Sequence, residues 1–290
     1  MMQGYPCTMG SWSTEFLTNG MVVIEDALDR SFCEDVVGRR LAGIGVDESD
    51  RATWLTGWHN LPATTVYALR DVAPRAADAL HELVGGVDEV AFGDLPDNLI
   101  VNFPDPGATW WPPHAWDAEG ARWHKDGDWF RHFLDSPEQG LLGIVFWRDV
   151  AEQQGATYIA ADSPGEVARL LAGHPEGIDP PVPIKEIVAG CRDFRALTGR
   201  QGTIIWAHPF LVHTASVNAT DRLRAISNTT AMLRRPPRFT GPGPRAPIAQ
   251  LVLDALDVDE LDFRPTRERI RIASERERRW ETEAVDHSPG

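Results

Sequence analysis

Apolar residues recur along this chain with two spacings, one typical of helices and one of buried strands. In residues 32–42 and 74–84 they return every three or four positions, which is the period of an amphipathic helix. Residues 98–103 and 141–147 are instead short apolar runs rich in branched and aromatic side chains. Runs of that length predict buried strands. The chain therefore begins with helices and continues into sheet.

The second half of the chain mixes both kinds of element. Ser163-Pro164-Gly165-Glu166 has the form of a capping box and predicts a short helix that Gly173 ends. Polar turn residues separate the strands that follow, and a segment rich in proline and glycine separates strands from later helices. These elements are a strand ending at 213, a strand over 222–233, a linker over 236–247, and helices over 248–256 and 266–283.

This order of elements predicts a mainly β core with flanking helices, which permits a jelly-roll fold. The 290 residues can bury one large core, and the sequence contains no internal repeat. We expect a single domain over 1–290. Its parts would be a helical N-terminal support over about 14–95, a core over about 96–235 and a helical C-terminal extension over about 248–285.

Composition and charge narrow the possible functions. Apolar residues make up 42% and charged residues 24%, as in ordinary globular proteins. The net charge of -15 disfavours nucleic acids and anionic membranes and favours cationic ligands. The N-terminus does not resemble a secretory signal, and no apolar run is long enough to span a membrane. Three cysteines without metal-ligand spacing favour a reducing cytoplasm.

The candidate chemistry lies in His124-Lys125-Asp126 and in His213. On an extended strand, residues i and i+2 project to one side, so His124 and Asp126 could bind one ion while Lys125 points away. A histidine from another strand would complete a set of two imidazoles and one carboxylate. That set suits non-haem Fe(II), because it leaves coordination positions for a co-substrate and O2.

These residues form part of a pattern that resembles the phytanoyl-CoA dioxygenase-like branch of the Fe(II)/2-oxoglutarate oxygenases. Its first element is Trp123-His124-Lys125-Asp126-Gly127, and its distal element runs from His213 through Asn218 and Thr220 to Arg224. Gly155-Ala156-Thr157 lies between them, and the segment 16–24 is similar to the opening of the family. Together the resemblance covers roughly residues 14–233.

The resemblance implies a double-stranded β-helix with His124, Asp126 and His213 as iron ligands. It also implies that Arg224 binds the distal carboxylate of 2-oxoglutarate, a role that suits the planar fork of a guanidinium. The activity implied is oxidation of a C–H bond of a small molecule with O2, releasing succinate and CO2, either as hydroxylation or as ring closure. Because Asp126 fills the carboxylate position, halogenation is disfavoured. Further 2-oxoglutarate contacts are expected at Asn102, Thr157 and Ser216.

Tryptophans cluster just before the metal motif and predict substrate contacts. Indole faces stack on sugar rings and on cationic groups, although the same cluster could be a rigid loop packed on the barrel. His208 is the alternative to His213 as third ligand and otherwise a substrate contact. With the acidic charge, this pattern suggests a bacterial natural product of carbohydrate or aminoglycoside type. The expected substrate residues are Trp110, Trp111, Trp116, Asp128, His132 and His208.

Other functions are compatible with the same residues. One is a jelly-roll isomerase or hydrolase that uses Zn²⁺ or Mn²⁺ without 2-oxoglutarate, in which Arg224 would be dispensable. Another is a non-catalytic carbohydrate-binding protein with a vestigial metal site. Within the oxygenases, the substrate could instead be an amino acid or a lipid. Oligomeric state cannot be predicted from the sequence.

Overall fold

The computed structural model describes residues 12–274. Its helices are α1 (Trp12–Asn19), α2 (Arg30–Ala42), α3 (Leu69–Val72), α4 (Pro74–Val84), α5 (Ser163–Ala172), α6 (Lys185–Gly190) and α7 (Pro247–Leu256). Its strands are β1 (Met21–Ile24), β2 (Trp58–Leu61), β3 (Val66–Tyr67), β4 (Val90–Phe92), β5 (Leu95–Pro96), β6 (Leu99–Asn102), β7 (Leu141–Phe146), β8 (Thr157–Ala160), β9 (Phe194–Leu197), β10 (Ile204–Ala207), β11 (Val212–Ala215) and β12 (Arg224–Leu233).

Two antiparallel sheets form the core. The larger sheet has the strand order β1-β10-β7-β12-β6-β2, with β4 pairing to β12, and the smaller has the order β11-β8-β9. A bridge between His124 and His213 adds the metal-motif segment to the edge of the smaller sheet. From β6 onward the chain passes repeatedly between the sheets. This alternation is the double-stranded β-helix, so the predicted jelly-roll fold is confirmed.

The helices of the N-terminal half cover the outer face of the larger sheet. Phe16 of α1, Leu41 of α2 and Leu80 of α4 share one buried cluster with Trp206 of β10. The indole N–H of Trp206 donates to the carbonyl of Ala76 at 2.9 Å, which fixes α4 against the sheet. The inner face of that sheet is thereby left free to face the smaller sheet and the site between them.

Three local predictions need correction. The side chain of Ser163 does not cap α5; its hydroxyl accepts the backbone N–H of Val212 at 2.9 Å, and Asp162 occupies the N-cap without a side-chain bond. The run 202–213 contains two strands, because His208, Pro209, Phe210 and Leu211 carry the chain from one sheet to the other. The predicted helix over 266–283 is wrong for residues 266–274, and its remainder lies outside the described residues.

The non-helical segment 266–274 runs along residues 129–135 and is held there by backbone bonds. Arg131 donates its N–H to the carbonyl of Ile270 at 3.1 Å, and Ile272 donates to Trp129 at 2.8 Å. These tertiary bonds replace the i to i+4 bonds of a helix, although Arg and Glu alternate in the sequence. Within residues 12–274, no helix has the length and apolar character needed to cross a membrane.

Candidate metal centre

The three predicted ligands come together between the sheets. His213 lies on β11, and His124 pairs with it through reciprocal backbone bonds of 2.9 and 3.0 Å. Asp126 follows in a bend, and the regular strand expected for this motif is reduced to the single bridge at His124. The ligand atoms of His124, Asp126 and His213 all lie within 4.8 Å of one another, and they are the one such cluster among residues 12–274.

The separations of these atoms fit one ion. The Nε2 atoms of His124 and His213 lie 3.4 and 3.7 Å from Oδ1 of Asp126. Two ligand atoms each about 2.1 Å from an ion are roughly 3 Å apart when they subtend a right angle. A small inward adjustment of the side chains would therefore bring all three to bonding distance.

Backbone carbonyls orient both imidazoles. Nδ1 of His124 lies 2.9 Å from the carbonyl oxygen of Arg122, and Nδ1 of His213 lies 3.1 Å from that of Leu211. Each Nδ1 therefore carries the proton and donates it, which leaves the Nε2 lone pair for a metal. Nε2 of His213 is buried and has no partner among the described residues.

The protonation states suit metal binding. Burial lowers the pKa of His213 to about 4, so its imidazole is neutral at physiological pH. Burial alone would raise the pKa of Asp126, but the charge that His213 carries at low pH, the hydrogen bond and charge of His124 and the charge of Lys125 outweigh burial and hold the pKa of Asp126 well below its usual range. The centre therefore offers an ionised carboxylate and a neutral imidazole, which are the forms that bind cations.

Residues between and after the ligands fix the direction of Asp126. Lys125 points away from the metal side, as predicted, and its Nζ lies 3.1 Å from the carbonyl of Asp126, from Nδ1 of His132 and from Oε1 of Gln139. Burial lowers the pKa of Lys125 to about 7. Gly127 has φ +111°, and a Cβ there would lie 2.6 Å from the Phe130 ring. Glycine is thus required for the turn after Asp126.

Arg224 begins β12 and points into the same space as the ligands. It is 1% exposed, and none of its three guanidinium nitrogens has a hydrogen-bond partner among the described residues. Burial lowers its pKa to about 10, which leaves the guanidinium charged at neutral pH. A buried, charged and unpartnered guanidinium is costly unless an anion binds it, so this side chain is a candidate for one end of an anion site.

The other expected 2-oxoglutarate contacts are placed differently from one another. Thr157 on β8 lines the cavity that contains the metal ligands and Arg224. Asn102 pairs with Arg224 across the sheet, but its Nδ2 donates to the carbonyl of Ser216 at 3.4 Å. The Ser216 hydroxyl donates to the carbonyl of Ala156 at 2.8 Å. Asn102 and Ser216 thus join strands, and neither side chain lines the cavity.

The cavity itself has a volume of about 610 Å³ and opens beside the metal ligands. Of the predicted substrate residues, only Asp128 lines it. Trp110 and Trp111 do not line it; the Trp110 indole donates to the Tyr158 hydroxyl at 2.9 Å, and Trp111 packs edge-on against that ring. Trp116 belongs to the cluster around α5 and α7.

Neither of the two remaining histidines reaches the cavity. His132 is fully buried behind the segment 124–126, beside Lys125. His208 lies between Phe16 and Phe210, with Nε2 3.1 Å from the carbonyl of Ile248. His208 is therefore not placed to be the third ligand, because Nε2 faces the carbonyl of Ile248 in α7 and Nδ1 accepts the backbone N–H of Phe210 at 3.2 Å.

Sequence reasoning missed most of the cavity wall. Among the lining residues that it did not predict are Trp58, Asn60, Asn98, Asn228, Thr230 and Arg271. The i+2 spacing after Arg224 could have indicated Asn228 and Thr230. No local signal marks Trp58 or Asn60, because their position depends on the long-range pairing of β2 with β6.

No family model and no curated protein matches this sequence. Among solved structures, the chain is similar to the epimerase SnoN from nogalamycin biosynthesis, in complex with Fe³⁺, alpha ketoglutarate and nogalamycin RO. That likeness has a TM-score of 0.49 and 18% identity over 91% of this chain and 95% of that one. It is also similar to HygX from Streptomyces hygroscopicus with nickel, 2-oxoglutarate and hygromycin B bound (TM-score 0.43, 12% identity, covering 74% and 83%). A third similar structure is that of EctD from S. alaskensis, with a TM-score of 0.46 and 20% identity over 80% of this chain and 79% of that one.

Proposed function

We propose that this protein is an Fe(II)- and 2-oxoglutarate-dependent oxygenase that oxidises a C–H bond of a small molecule and releases succinate and CO2. One observation carries the proposal. The cavity that holds His124, Asp126 and His213 also contains a buried Arg224 guanidinium with no partner among the described residues. A cation site and an anion site in one cavity match a metal ion and a dicarboxylate bound side by side.

Each residue has a distinct part in this function. His124, Asp126 and His213 would hold the iron, which when bound supplies the O2 chemistry. Arg224 would bind the distal carboxylate of 2-oxoglutarate, and Thr157 lies in the same cavity to contact it. Ile100 and Ile226 present apolar surface beside this group and exclude water from the reacting carbon. The protein's own contribution is therefore binding and orientation.

The burial of Arg224 argues against the alternative of a jelly-roll metalloenzyme without 2-oxoglutarate. Such an enzyme would leave a buried charge unpaired, at a cost of several kcal/mol. A non-catalytic carbohydrate-binding protein would carry the same cost.

The first experiment is an anaerobic titration of the metal-free protein with Fe(II) and then 2-oxoglutarate, following the visible metal-to-ligand charge-transfer band. We expect the band in the wild type. Asp126→Ala should lose it because a ligand is removed, and Arg224→Ala should require a much higher 2-oxoglutarate concentration. Arg222→Ala is the matched control, since that arginine is exposed and lies two residues away. Absence of the band from a protein shown to bind Fe(II) would support the 2-oxoglutarate-independent alternative.

We further propose a substrate of carbohydrate or aminoglycoside type from natural-product biosynthesis, oxidised by hydroxylation or ring closure. The net charge of -15 favours a cationic substrate, and Asp128 adds a carboxylate to the cavity wall. Trp58 and Trp129 supply the indole faces that the more distant tryptophans do not. Turnover of aminoglycosides should exceed that of acyl substrates and free amino acids. Activity confined to the latter two groups would overturn this substrate assignment.

The cellular location follows from a separate argument and stays a prediction. Cys33 and Cys191 are buried free thiols. Burial raises the pKa of each to about 12, so both are protonated and unreactive. A cytoplasmic location remains our proposal on the basis of cysteine usage.

A further inference from the structure

The inner face of the larger sheet carries an ordered set of side chains beyond the metal centre. Alternate residues of β12 point into the cavity: Arg224, Ile226, Asn228 and Thr230. At about 3.4 Å per residue, Asn228 lies roughly 13 Å along the strand from Arg224. The face therefore changes from charged, through apolar, to carboxamide with increasing distance from the anion site.

The neighbouring strands β6 and β2 contribute further apolar and carboxamide side chains to this face. Ile226 pairs with Ile100 of β6, and Ile100 pairs with Asn60 of β2. Asn98, two residues before Ile100, lies beside Asn228 and donates its Nδ2 to the Asn228 carbonyl at 3.3 Å. Asn98 and Asn228 thus border the apolar patch of Ile100 and Ile226 on the side away from Arg224, and Asn60 borders it on the neighbouring strand β2.

Two of these carboxamides have unused acceptors. The Oδ1 atoms of Asn98 and Asn228 are buried and have no hydrogen-bond partner among the described residues. Burial without a partner already costs about 1–3 kcal/mol for such an atom, and a hydroxyl or amino group of the substrate that donates to it would remove this cost, whereas an alkyl chain would not. A substrate that fills this part of the cavity is therefore favoured if it carries at least two hydrogen-bond donors.

Trp58 supplies a flat surface at the edge of the same region. It lies on β2, two residues before Asn60, is 54% exposed and lines the cavity. Its backbone pairs with Asn102, which pairs in turn with Arg224, so it lies two strands, or roughly 10 Å, from the anion site. An exposed indole beside carboxamides is suited to the apolar face of a saturated ring that bears polar groups at its edge.

We propose that Asn60, Asn98 and Asn228, with Trp58, form a specificity-determining subsite for a saturated ring bearing hydroxyl or amino groups. This inference rests on the proposed oxygenase function and adds the orientation of the substrate. The ring that binds the carboxamides lies away from Arg224, and the carbon to be oxidised lies over Ile100 and Ile226, next to the metal ligands. Asp128 and Arg271 are the ionisable groups of the wall outside the metal and anion sites, among the described residues.

Binding of three probes tests the subsite. The protein is loaded with Mn(II) and 2-oxoglutarate, and its affinity for maltotriose, kanamycin A and methyl decanoate is measured by calorimetry. We expect at least one of the two ring compounds to bind and methyl decanoate not to bind. Asn98→Leu and Asn228→Leu should each weaken that binding roughly tenfold, the size of one buried hydrogen bond.

Matched variants separate recognition from folding. Asn19→Leu is the control, because Asn19 ends α1 and donates to the Glu15 carbonyl, remote from the cavity. It should bind the probes as the wild type does. Asn228→Thr keeps a donor and acceptor on a strand-favouring side chain, so it should retain more affinity than Asn228→Leu. Circular dichroism and the unfolding midpoint of each variant confirm that it is folded.

The outcomes divide clearly. Failure of both ring compounds to bind, equal binding of methyl decanoate, or unchanged affinity in folded Leu variants would each overturn the subsite. The charge-transfer titration reports separately on the oxygenase. If the band forms while the ring compounds fail, only the subsite is wrong; if the band is absent, the proposed function itself fails.

Discussion

The Arg224 side chain lowers the stability of the ligand-free protein. Its guanidinium is buried, charged and without a partner among residues 12–274. Replacing a buried unpaired charge by an apolar side chain of similar length commonly stabilises a protein by about 1–4 kcal/mol. Residues that bind ligands are often kept at such a cost.

We therefore expect Arg224→Met to be more stable than the wild type, by roughly 1–3 kcal/mol, when 2-oxoglutarate is absent. The same variant should lose 2-oxoglutarate binding, because the anion site is gone. Urea unfolding without and with metal and 2-oxoglutarate measures both effects. A variant less stable than the wild type in the absence of 2-oxoglutarate would contradict this account of the guanidinium.

Gly127 makes a second prediction at this scale. Alanine there would combine a φ of +111° with a Cβ 2.6 Å from the Phe130 ring and 2.7 Å from that of His132. We expect Gly127→Ala to lose more than about 2 kcal/mol of stability and to weaken metal binding by displacing Asp126. Gly120→Ala is the control, with φ +89° and open space around its Cβ. Similar losses in both variants would show that backbone strain alone is responsible.

His208 predicts a pH dependence of stability. Burial lowers its folded pKa to about 3, whereas an unfolded histidine has a pKa near 6.5. Between these values the unfolded chain binds a proton that the folded chain does not. The contribution of neutral His208 to the free energy of unfolding is therefore complete above about pH 6.5 and falls as pH decreases. Within this range, each unit decrease in pH lowers the free energy of unfolding by at most about 1.4 kcal/mol.

Replacing His208 by glutamine, which can also donate to the Ile248 carbonyl, should make stability less sensitive to acid. Between pH 7.5 and 5.0 we expect the wild type to lose roughly 2 kcal/mol more of its unfolding free energy than His208→Gln. Urea unfolding at the two pH values gives the comparison. Equal losses would mean that His208 is protonated in the folded protein.

At the scale of elements, the segment 266–274 supplies part of the cavity wall although it is neither helix nor strand. Arg271 and Ser274 line the cavity from this segment. Arg131 holds it: its Nε and Nη2 bind Asp179 at 2.6 and 3.1 Å, and its Nη1 donates to the Glu268 carbonyl at 3.2 Å. The Arg131 side chain is 5% exposed, whereas its partner Asp179 is 52% exposed.

Arg131→Gln should therefore loosen the segment. We expect faster proteolysis within 264–274 and a higher KM for substrate, with the affinity for 2-oxoglutarate unchanged because Arg224 and Thr157 lie on other elements. Arg264→Gln is the matched control, since Arg264 is 81% exposed and pairs only locally with Asp262. If both variants behave alike, the buried contacts of Arg131 do not hold the segment.

The elements also show where local patterns are sufficient. The helix predicted over 74–84 coincides with α4, because its apolar residues follow the helical period and Gly85 ends it in a left-handed conformation. Residues 266–283 carry Arg and Glu at a spacing that also favours a helix. Within 266–274, however, the backbone bonds to residues 129–131 instead. Tertiary contacts override propensity where a segment has little apolar surface of its own to bury.

At the scale of the whole molecule, metal and 2-oxoglutarate should stabilise the fold by binding only to it. Ligands that join residues of β8, β11 and β12 to the 124–126 segment connect the two sheets. At 100 times its dissociation constant, a ligand raises the free energy of unfolding by about 2.7 kcal/mol. We expect Mn(II) and 2-oxoglutarate together to raise the unfolding midpoint, while Asp126→Ala responds to neither. An unchanged midpoint in the wild type, at saturating concentrations, would contradict the site.

The sequence by itself determined the candidate metal ligands and the candidate anion-binding arginine. His124, Asp126, His213 and Arg224 were predicted as one constellation, and the structure brings them into one cavity. They could be found because each lies in a short motif with fixed spacing, and because a metal and a dicarboxylate demand particular residue types. The helices 32–42 and 74–84 and the strands β6, β7 and β12 were also predictable, since hydrophobic period is a local property.

Only the tertiary structure decided which other side chains share the cavity. Trp110, Trp111 and Trp116 are close to the ligands in sequence but pack elsewhere, while Trp58 and Asn98 come from strands far away along the chain. A side chain faces the cavity according to the sheet its strand joins and the register of that pairing, and a shift of one residue would turn every side chain to the opposite face. Strand pairing between distant segments is not encoded in any local window, which is why the metal centre could be predicted and its substrate wall could not.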